Sequence, residues 1–249
     1  MISKETLDTL AAAGGLRPHQ QEKHYVQNLA LSYLALQPLV FKGGTYLWLF
    51  HGLNRFSEDL DFTATGAVPD DIDRIVSAGL AANGVENTVK RVESSGRSTA
   101  FRISAKGPLN TKPIDLCHVY VEISLREQVV MEPLPLKLDN IAYGIPLRVV
   151  RGMALEEVAA EKVHAILTRD KARDVFDLAF LAGKGVRFDP NLVARKMEYY
   201  KTPFSAESFA KAAKARKGAW KSEVGPLMLG IPLPDFDECL DAVLGWARA

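Results

Sequence analysis

The sequence predicts a bilobal α/β (α+β) protein, with a mixed β-sheet and helices in its N-terminal half and a helical C-terminal half. Strand-like and helical segments alternate up to about residue 125, whereas from Ala154 onward the apolar residues recur at helical spacing. Prolines at positions 133, 135 and 146 separate the two patterns. We therefore expect one domain at residues 1–150, a helical domain at 151–249, and an active cleft between the lobes.

The elements of the N-terminal half follow from periodicity and from turn residues. Residues 19–36 have helical spacing and end before Pro38, and the apolar run 39–42 predicts a strand. A glycine pair then separates that strand from a short apolar helix at 45–50. Further strands are predicted at 59–63, 87–93, 98–105 and 118–125, and a helix at 69–80. In the C-terminal half, helices are predicted at 154–168, 171–183, 189–199, 205–217 and 235–248.

Composition limits the possible classes of protein. The 249 residues are 47% hydrophobic and 24% charged, with a formal net charge of +1, so a nucleic acid would have to bind a local basic patch. Cys117 and Cys239 are too few for a disulfide framework or a zinc cluster. The N-terminus lacks the apolar core of a signal peptide, and no apolar run approaches the roughly 20 residues of a membrane span. We expect a cytoplasmic protein without a membrane partner.

Two aspartates separated by one residue, Asp59 and Asp61, lie in a predicted strand. Because side chains alternate along a strand, both carboxylates would project from one face while Leu60 and Phe62 are buried on the other. Paired carboxylates suit Mg²⁺, which usually binds one or two of them together with substrate phosphate oxygens. The pair therefore indicates phosphoryl or nucleotidyl transfer, although an isolated Asp-x-Asp commonly lies on a solvated strand edge.

The residues around the aspartates favour the functional interpretation. Gly43 and Gly44 lie at the junction of a strand and a helix, where backbone amides can approach an anion. Arg55 and Ser57 precede Asp59 by four and two residues, and a guanidinium and a hydroxyl there can bind triphosphate oxygens. The sequence contains neither a Gly-x-x-x-x-Gly-Lys-Ser/Thr loop nor a Gly-x-Gly-x-x-Gly motif. An ordinary P-loop NTPase and a dinucleotide oxidoreductase are therefore disfavoured.

Two stretches resemble a known family. The runs Lys42-Gly43-Gly44-Thr45 and Arg55-Phe56-Ser57-Glu58-Asp59-Leu60-Asp61-Phe62 resemble the signature of the AbiEii and MenT nucleotidyltransferase toxins of type IV toxin–antitoxin systems. Downstream, Glu161-Lys162 and Arg173-Asp174-Val175-Phe176-Asp177-Leu178 are similar to the Glu-Lys and Arg-Asp-x-x-Asp-Leu motifs of that family. The resemblance covers roughly residues 20 to 182.

This resemblance implies a Mg²⁺-dependent enzyme that transfers nucleotides from an NTP to RNA, at the 3′ end of tRNA, and so arrests translation and growth. It also implies a cognate antitoxin. Asp59 and Asp61 would be catalytic metal ligands, Lys162 would bind the triphosphate, and Asp174 would hold Lys162 or act near the attacking hydroxyl. The nucleotide contacts would come from Lys42, Gly43, Gly44, Thr45, Arg55, Ser57 and Lys162. Without the resemblance, Lys162 and Asp174 are equally well explained as surface charges.

A third carboxylate is expected to join the metal ligands from a neighbouring strand. Glu122 alternates with Val121 and Ile123 in a clean strand pattern, whereas Asp115 has weaker strand flanks. We prefer Glu122, although a solvated strand face explains it equally well.

The acceptor is the least determined part of the prediction. Residues 195–221 interleave eight basic residues with Tyr199, Tyr200, Phe204 and Trp220, as in a surface that binds an RNA backbone and unpaired bases. An amphipathic helix with core aromatics predicts the same pattern. A transferase acting on a small molecule such as an aminoglycoside, and a non-catalytic nucleotide-binding regulator, are the alternatives.

Overall fold

The computed structural model of the protein describes residues 1–201 and 203–248. Its seven strands are β1 (Leu39–Lys42), β2 (Leu60–Ala64), β3 (Asn87–Ser94), β4 (Ser98–Ala105), β5 (Cys117–Ser124), β6 (Leu134–Leu138) and β7 (Arg148–Gly152). They form one mixed sheet in the order β3-β4-β5-β2-β1-β7-β6. The β2–β5 and β1–β7 pairs are parallel, and the other pairs are antiparallel. The predicted mixed sheet with helices is confirmed.

The α-helices are α1 (Lys4–Gly14), α2 (Pro18–Leu34), α3 (Gly43–His51), α4 (Ile72–Ala82), α5 (Leu155–Thr168), α6 (Ala172–Gly183), α7 (Pro190–Glu198), α8 (Ala206–Lys214), α9 (Trp220–Glu223) and α10 (Phe236–Trp246). Short 3-10 helices occupy Ile141–Tyr143, Ala215–Ala219 and Gly225–Leu227. Within the described residues no helix is long and apolar enough to cross a membrane.

The chain divides into two compact units. The first contains Met1–Tyr46, Ser57–Val129 and Pro133–Gly152, and the second contains Leu47–Phe56, Val130–Glu132 and the chain from Met153 onward. The first unit holds the sheet. In the second, α5 packs against α6, α7 and α8, and α6 packs against α10. Two short segments that precede residue 150, Leu47–Phe56 and Val130–Glu132, thus belong to the second unit.

Four elements were not predicted from the sequence: α1, β6, β7 and the short helix α9. α1 lies in a segment without an assigned pattern, and β6 and β7 lie among the prolines that were interpreted as punctuation. β6 is an edge strand, and its Pro135 is exposed. An edge strand tolerates proline because one side of its backbone has no ladder partner.

The core beneath β1 and β2 fixes which residues face the opposite side of the sheet. Phe41 and Phe62 are register partners, and their rings stack with centroids 4.9 Å apart. Because side chains alternate along a strand, burial of Phe62 and Leu60 directs Asp61 to the other face. Burial of Phe41 directs Lys42 to that same face.

Candidate active site

Three charged side chains form a row across the centre of the sheet. Asp61 on β2 is the register partner of Lys42 on β1 and of Glu122 on β5. Residues paired in this way project from the same face of a sheet. Asp61 is half-buried and Glu122 is exposed. Asp59 lies one residue before β2 begins, two positions from Asp61, and is also half-buried.

Gly43 packs directly against the Asp61 carboxylate. It begins α3 immediately after β1, as the glycine pair predicted, and its φ is +80°. A Cβ at this position would lie 2.2 Å from Asp61 Oδ2 and 3.0 Å from Asp61 Cγ, which is too close for any side chain. Glycine is therefore required twice here, for its positive φ and for the close approach of the carboxylate.

Thr45 supports the backbone next to this carboxylate. Its side chain is buried, and its hydroxyl donates a hydrogen bond to the Asp59 carbonyl oxygen at 2.5 Å. The first turn of α3 is thereby tied to the residue that starts the Asp-x-Asp motif. The Thr45 hydroxyl is therefore engaged by the backbone of the motif, and the nucleotide contact that the resemblance implied for Thr45 stays a prediction.

Lys42 and Ser57, two further predicted nucleotide contacts, also make contacts within the first unit. Lys42 Nζ lies 2.7 Å from Glu127 Oε2, and both side chains are largely buried. Ser57 is half-buried, and its backbone carbonyl accepts a hydrogen bond from Gln27 Nε2 at 3.1 Å. A phosphate contact by Lys42 would compete with the Glu127 ion pair.

The geometry separates the two candidates for the third carboxylate. Glu122 lies in β5 beside Asp61. Asp115 precedes β5, is exposed, and accepts a hydrogen bond from the Thr111 hydroxyl at 2.7 Å. Of the two, Glu122 shares the sheet face with Asp61.

The donor atoms of the three predicted carboxylates match the chemistry of Mg²⁺. Asp59, Asp61 and Glu122 offer hard carboxylate oxygens, and Mg²⁺ usually completes its shell with waters and substrate phosphates. Among residues 1–201 and 203–248, no group of three or more His, Cys, Asp or Glu side chains is arranged as a ready metal cage. The fit therefore lies in the donor type and in the face that Asp61 shares with Glu122, with the remaining ligands to be supplied by substrate and water.

A second cluster of charges lies within the second unit. Lys162 on α5 is buried, and its Nζ lies 2.8 Å from Asp174 Oδ1 and 2.6 Å from Asp177 Oδ2, both on α6. The two aspartates are fully buried. Each is also held by an arginine: Arg169 contacts both oxygens of Asp174 at 2.7 and 2.8 Å, and Arg55 contacts both oxygens of Asp177 at 2.6 and 2.7 Å.

The cluster keeps both aspartates ionised. Burial on its own would raise the pKa of the Asp174 carboxyl, but Lys162 and Arg169 outweigh burial and hold that pKa far below its usual range. For Asp177, burial is likewise outweighed by Arg55 and Lys162, so its pKa is lowered. Three cations and two carboxylates leave a surplus of one positive charge, which suits an anionic ligand.

Arg55 lies in a different environment from the one that the sequence suggested. It is 2% exposed, and its guanidinium contacts Asp177 and the Phe56 carbonyl oxygen. Its proximity to Asp59 along the chain suggested a triphosphate contact, whereas its observed partner is 122 residues away in sequence. Such a partner depends on the tertiary fold.

Two charged residues with buried ion-pair partners, Arg169 and Glu157, were not among the predicted site residues. Arg169 precedes Asp174 by five residues, across the start of α6, so helical spacing gave no signal of their pairing. Glu157 is fully buried. Its carboxylate accepts hydrogen bonds from the amides of Val130 and Met131, at 2.9 Å each, and lies 2.5 Å from Lys196 Nζ.

Three of the four aromatic residues of the basic segment pack against other rings. Phe204 packs near Phe188 and Phe209, Trp220 is buried between Phe176 and Phe236, and Tyr200 stacks on His164. Tyr199 is exposed. Of the bases, Lys196, Arg216 and Lys217 form ion pairs, whereas Arg195, Lys201, Lys211, Lys214 and Lys221 are exposed. The amphipathic-helix interpretation thus accounts for most of the aromatic pattern.

Three solved structures share this fold. The nucleotidyltransferase toxin MenT4 of Mycobacterium tuberculosis matches with a TM-score of 0.68 and 22% identity, over 99% of this chain and 89% of MenT4. A putative nucleotidyltransferase of Helicobacter pylori matches with a TM-score of 0.67 and 22% identity, over 94% and 95% of the two chains. JHP933 of Helicobacter pylori matches with a TM-score of 0.65 and 22% identity, over 92% and 90%.

Sequence comparison supplies the family. No curated protein sequence matches the chain. The family described as nucleotidyl transferase AbiEii toxin, type IV toxin–antitoxin system, matches residues 32–242, which is most of the chain. The protein therefore belongs to the AbiEii family of nucleotidyltransferase toxins, as the glycine pair, the Asp-x-Asp motif and the downstream Lys162 motif predicted.

Proposed function

We propose that this nucleotidyltransferase is Mg²⁺-dependent and transfers nucleotides from an NTP to RNA, at the 3′ end of tRNA, so that translation and growth stop. The observation that supports its chemistry best is the pairing of Asp61 with Glu122 on adjacent parallel strands, with Gly43 packed against the Asp61 carboxylate. This arrangement supports two carboxylates acting from one face of the sheet, next to a glycine junction where a phosphate can approach the backbone.

The reaction assigns a role to each carboxylate. The acceptor hydroxyl oxygen forms a bond to the α-phosphorus and its proton passes to water, while the bond from that phosphorus to the oxygen that bridges to the β-phosphate breaks and pyrophosphate leaves. When bound, Mg²⁺ would supply charge stabilisation for the attacking and leaving oxygens. Asp59 and Asp61 would hold the metal, and Glu122 would complete its protein ligands near the attacking hydroxyl.

Lys162 is proposed as the triphosphate ligand. It has three N–H donors, and the carboxylates of Asp174 and Asp177 engage two of them, which leaves one donor for a phosphate oxygen. The surplus positive charge of its cluster favours an anion. Asp174 would hold Lys162 in place, one of the two roles that the sequence suggested for it.

The proposed RNA acceptor is supported by six exposed bases of residues 195–221, Arg195, Lys201, Lys211, Lys214, Lys217 and Lys221. Such side chains bind a phosphate backbone without reading sequence. Membership of a type IV toxin–antitoxin family implies an antitoxin partner. We propose that the protein acts in the cytoplasm, where tRNA is found.

The decisive experiment incubates the purified protein with each α-labelled NTP, total RNA and Mg²⁺, and then sequences the RNA 3′ ends. We expect label at tRNA 3′ ends, loss of labelling with EDTA, and loss of labelling in Asp61→Asn. Label in an added aminoglycoside but never in RNA would replace the toxin proposal with a small-molecule transferase. No label in any acceptor, together with retained NTP binding, would indicate a regulatory module.

A further inference from the structure

We infer that Arg55 is a positioning residue that fixes Lys162 through Asp177, and that it does not itself bind the triphosphate. This inference rests on the proposed role of Lys162 and deepens it. It reassigns a residue whose place in the Asp-x-Asp motif suggested direct contact with the nucleotide.

The donors of Arg55 are engaged inside the second unit. Nε and Nη2 donate to the two oxygens of Asp177 at 2.6 and 2.7 Å, and Nη1 donates to the Phe56 carbonyl oxygen at 3.1 Å. All three guanidinium nitrogens thus have protein acceptors. With 2% of the residue exposed, a phosphate would reach this guanidinium only if the buried pair opened. Opening the pair would leave a buried charge without its partner, which is strongly unfavourable and opposes such a role.

Asp177 links Arg55 to Lys162. Its Oδ2 accepts from Arg55 Nη2 at 2.7 Å and lies 2.6 Å from Lys162 Nζ. Its Oδ1 is held by Arg55 Nε at 2.6 Å. A bidentate pair fixes the plane of a carboxylate, because two parallel hydrogen bonds prevent its rotation. Arg55 therefore determines where Asp177 Oδ2 meets the ammonium group.

The same arrangement occurs on the other side of the lysine. Arg169 holds Asp174 by two hydrogen bonds, and Asp174 Oδ1 lies 2.8 Å from Lys162 Nζ. Lysine is a point charge on a flexible four-carbon stem, so its partners determine its position. The alternation Arg55, Asp177, Lys162, Asp174, Arg169 forms a cradle, in which two arginine-fixed carboxylates orient the third N–H of Lys162.

If Arg55 positions Lys162 through the cradle, its substitution should change the KM for the NTP, whereas loss of fold stability alone should not. Arg55→Lys keeps the charge but loses the bidentate geometry, so Asp177 can rotate and Lys162 loses its fixed position. We expect the KM for the NTP to rise about tenfold, with kcat changed less than about threefold. A residue that only stabilised the fold would lower the amount of active enzyme, and with it the apparent kcat, while the KM stayed constant.

Three further variants complete the experiment. Lys196→Arg alters a second buried ion pair of the same unit, with Glu157, and is expected to leave the KM unchanged. Arg169→Lys, like Arg55→Lys, is expected to raise the KM for the NTP. Because the Arg169 side chain is half-exposed, this variant tests the cradle even if Arg55→Lys does not fold. Lys162→Gln measures the contribution of the lysine itself.

The outcomes separate this inference from the proposed function. A raised KM in Lys162→Gln, Arg55→Lys and Arg169→Lys, with a normal KM in Lys196→Arg, supports the cradle. A raised KM in Lys162→Gln alone overturns the cradle and leaves the role of the lysine intact. An unchanged KM in Lys162→Gln overturns the proposed triphosphate role and the inference that rests on it. If Arg55→Lys is unfolded, an unchanged KM in Arg169→Lys overturns the cradle.

Discussion

Gly43 and Asp61 are packed so closely that a Cβ on Gly43 would lie 2.2 Å from the Asp61 carboxylate oxygen. Gly43 begins α3, and Asp61 projects from β2, the antiparallel neighbour of the strand that leads into that helix. Because Gly43 has no side chain, the Asp61 carboxylate can occupy the space beside its Cα. The first glycine of the pair in the sequence is therefore needed for the observed position of the Asp61 carboxylate.

Gly43→Ala should displace Asp61 and inactivate the enzyme. The new Cβ must move the carboxylate, and the φ of +80° adds strain of about 1–3 kcal/mol. We expect nucleotide incorporation to fall at least about 100-fold, measured with labelled NTP, because misplaced catalytic groups are penalised steeply. Gly15→Ala is the matched control: Gly15 also has a positive φ, +65°, but a Cβ added there would meet nothing within 4 Å. The Gly15→Ala variant should be less stable than the parent protein, but each folded molecule should keep its nucleotide-transfer activity.

Glu122→Gln should abolish activity, and Asp115→Asn should not. Glu122 neighbours Asp61 across the parallel strands, whereas Asp115 is exposed and bonded to Thr111 outside the strand. Removing a metal-binding carboxylate should lower incorporation at least about 100-fold and raise the Mg²⁺ concentration needed for half-maximal rate. Titrating Mg²⁺ in both variants checks this, and equal activity of Glu122→Gln and the parent would remove Glu122 from the site.

His24 should make the protein less stable below neutral pH. Burial lowers the pKa of the His24 side chain from 6.5 to about 4. Between these values the unfolded chain binds a proton that the folded chain does not, so stability falls as pH drops from 6.5 towards 4. The loss should be on the order of 3 kcal/mol. Urea unfolding at several pH values should show this slope, and the slope should be smaller in His24→Asn.

Glu157→Gln should destabilise the second unit. The Glu157 carboxylate accepts from the amides of Val130 and Met131 and pairs with the buried Lys196, so an amide there loses the charge and one acceptor. We expect a loss of about 2–4 kcal/mol in the free energy of unfolding. Glu156→Gln, at the half-buried neighbouring position, should change it by less than about 0.5 kcal/mol. Comparable losses in both variants would contradict a specific role for Glu157.

The sequence by itself determined the mixed sheet, the glycine junction and the face of the sheet from which Asp61 projects. Each of these depends on local rules: side chains alternate along a strand, and glycine permits positive φ. The family motifs added Lys162 and Asp174, whose roles in nucleotide binding and catalysis remain predictions. α1 was not predicted, although Ser3 caps its start and Gly15 follows its last turn. β6 was missed because its prolines were interpreted as punctuation, whereas an edge strand tolerates proline.

Only the tertiary structure decided which charges pair. Arg55 lies four residues from Asp59 in sequence, yet it binds Asp177, and Lys42 binds Glu127. Among the aromatic residues interleaved with the C-terminal bases, Trp220 proved to be a core residue, because it packs against the distant rings of Phe176 and Phe236. Spacing along the chain predicts which face a side chain occupies, whereas the partner of a long, flexible, charged side chain depends on what the fold brings within about 3 Å of it.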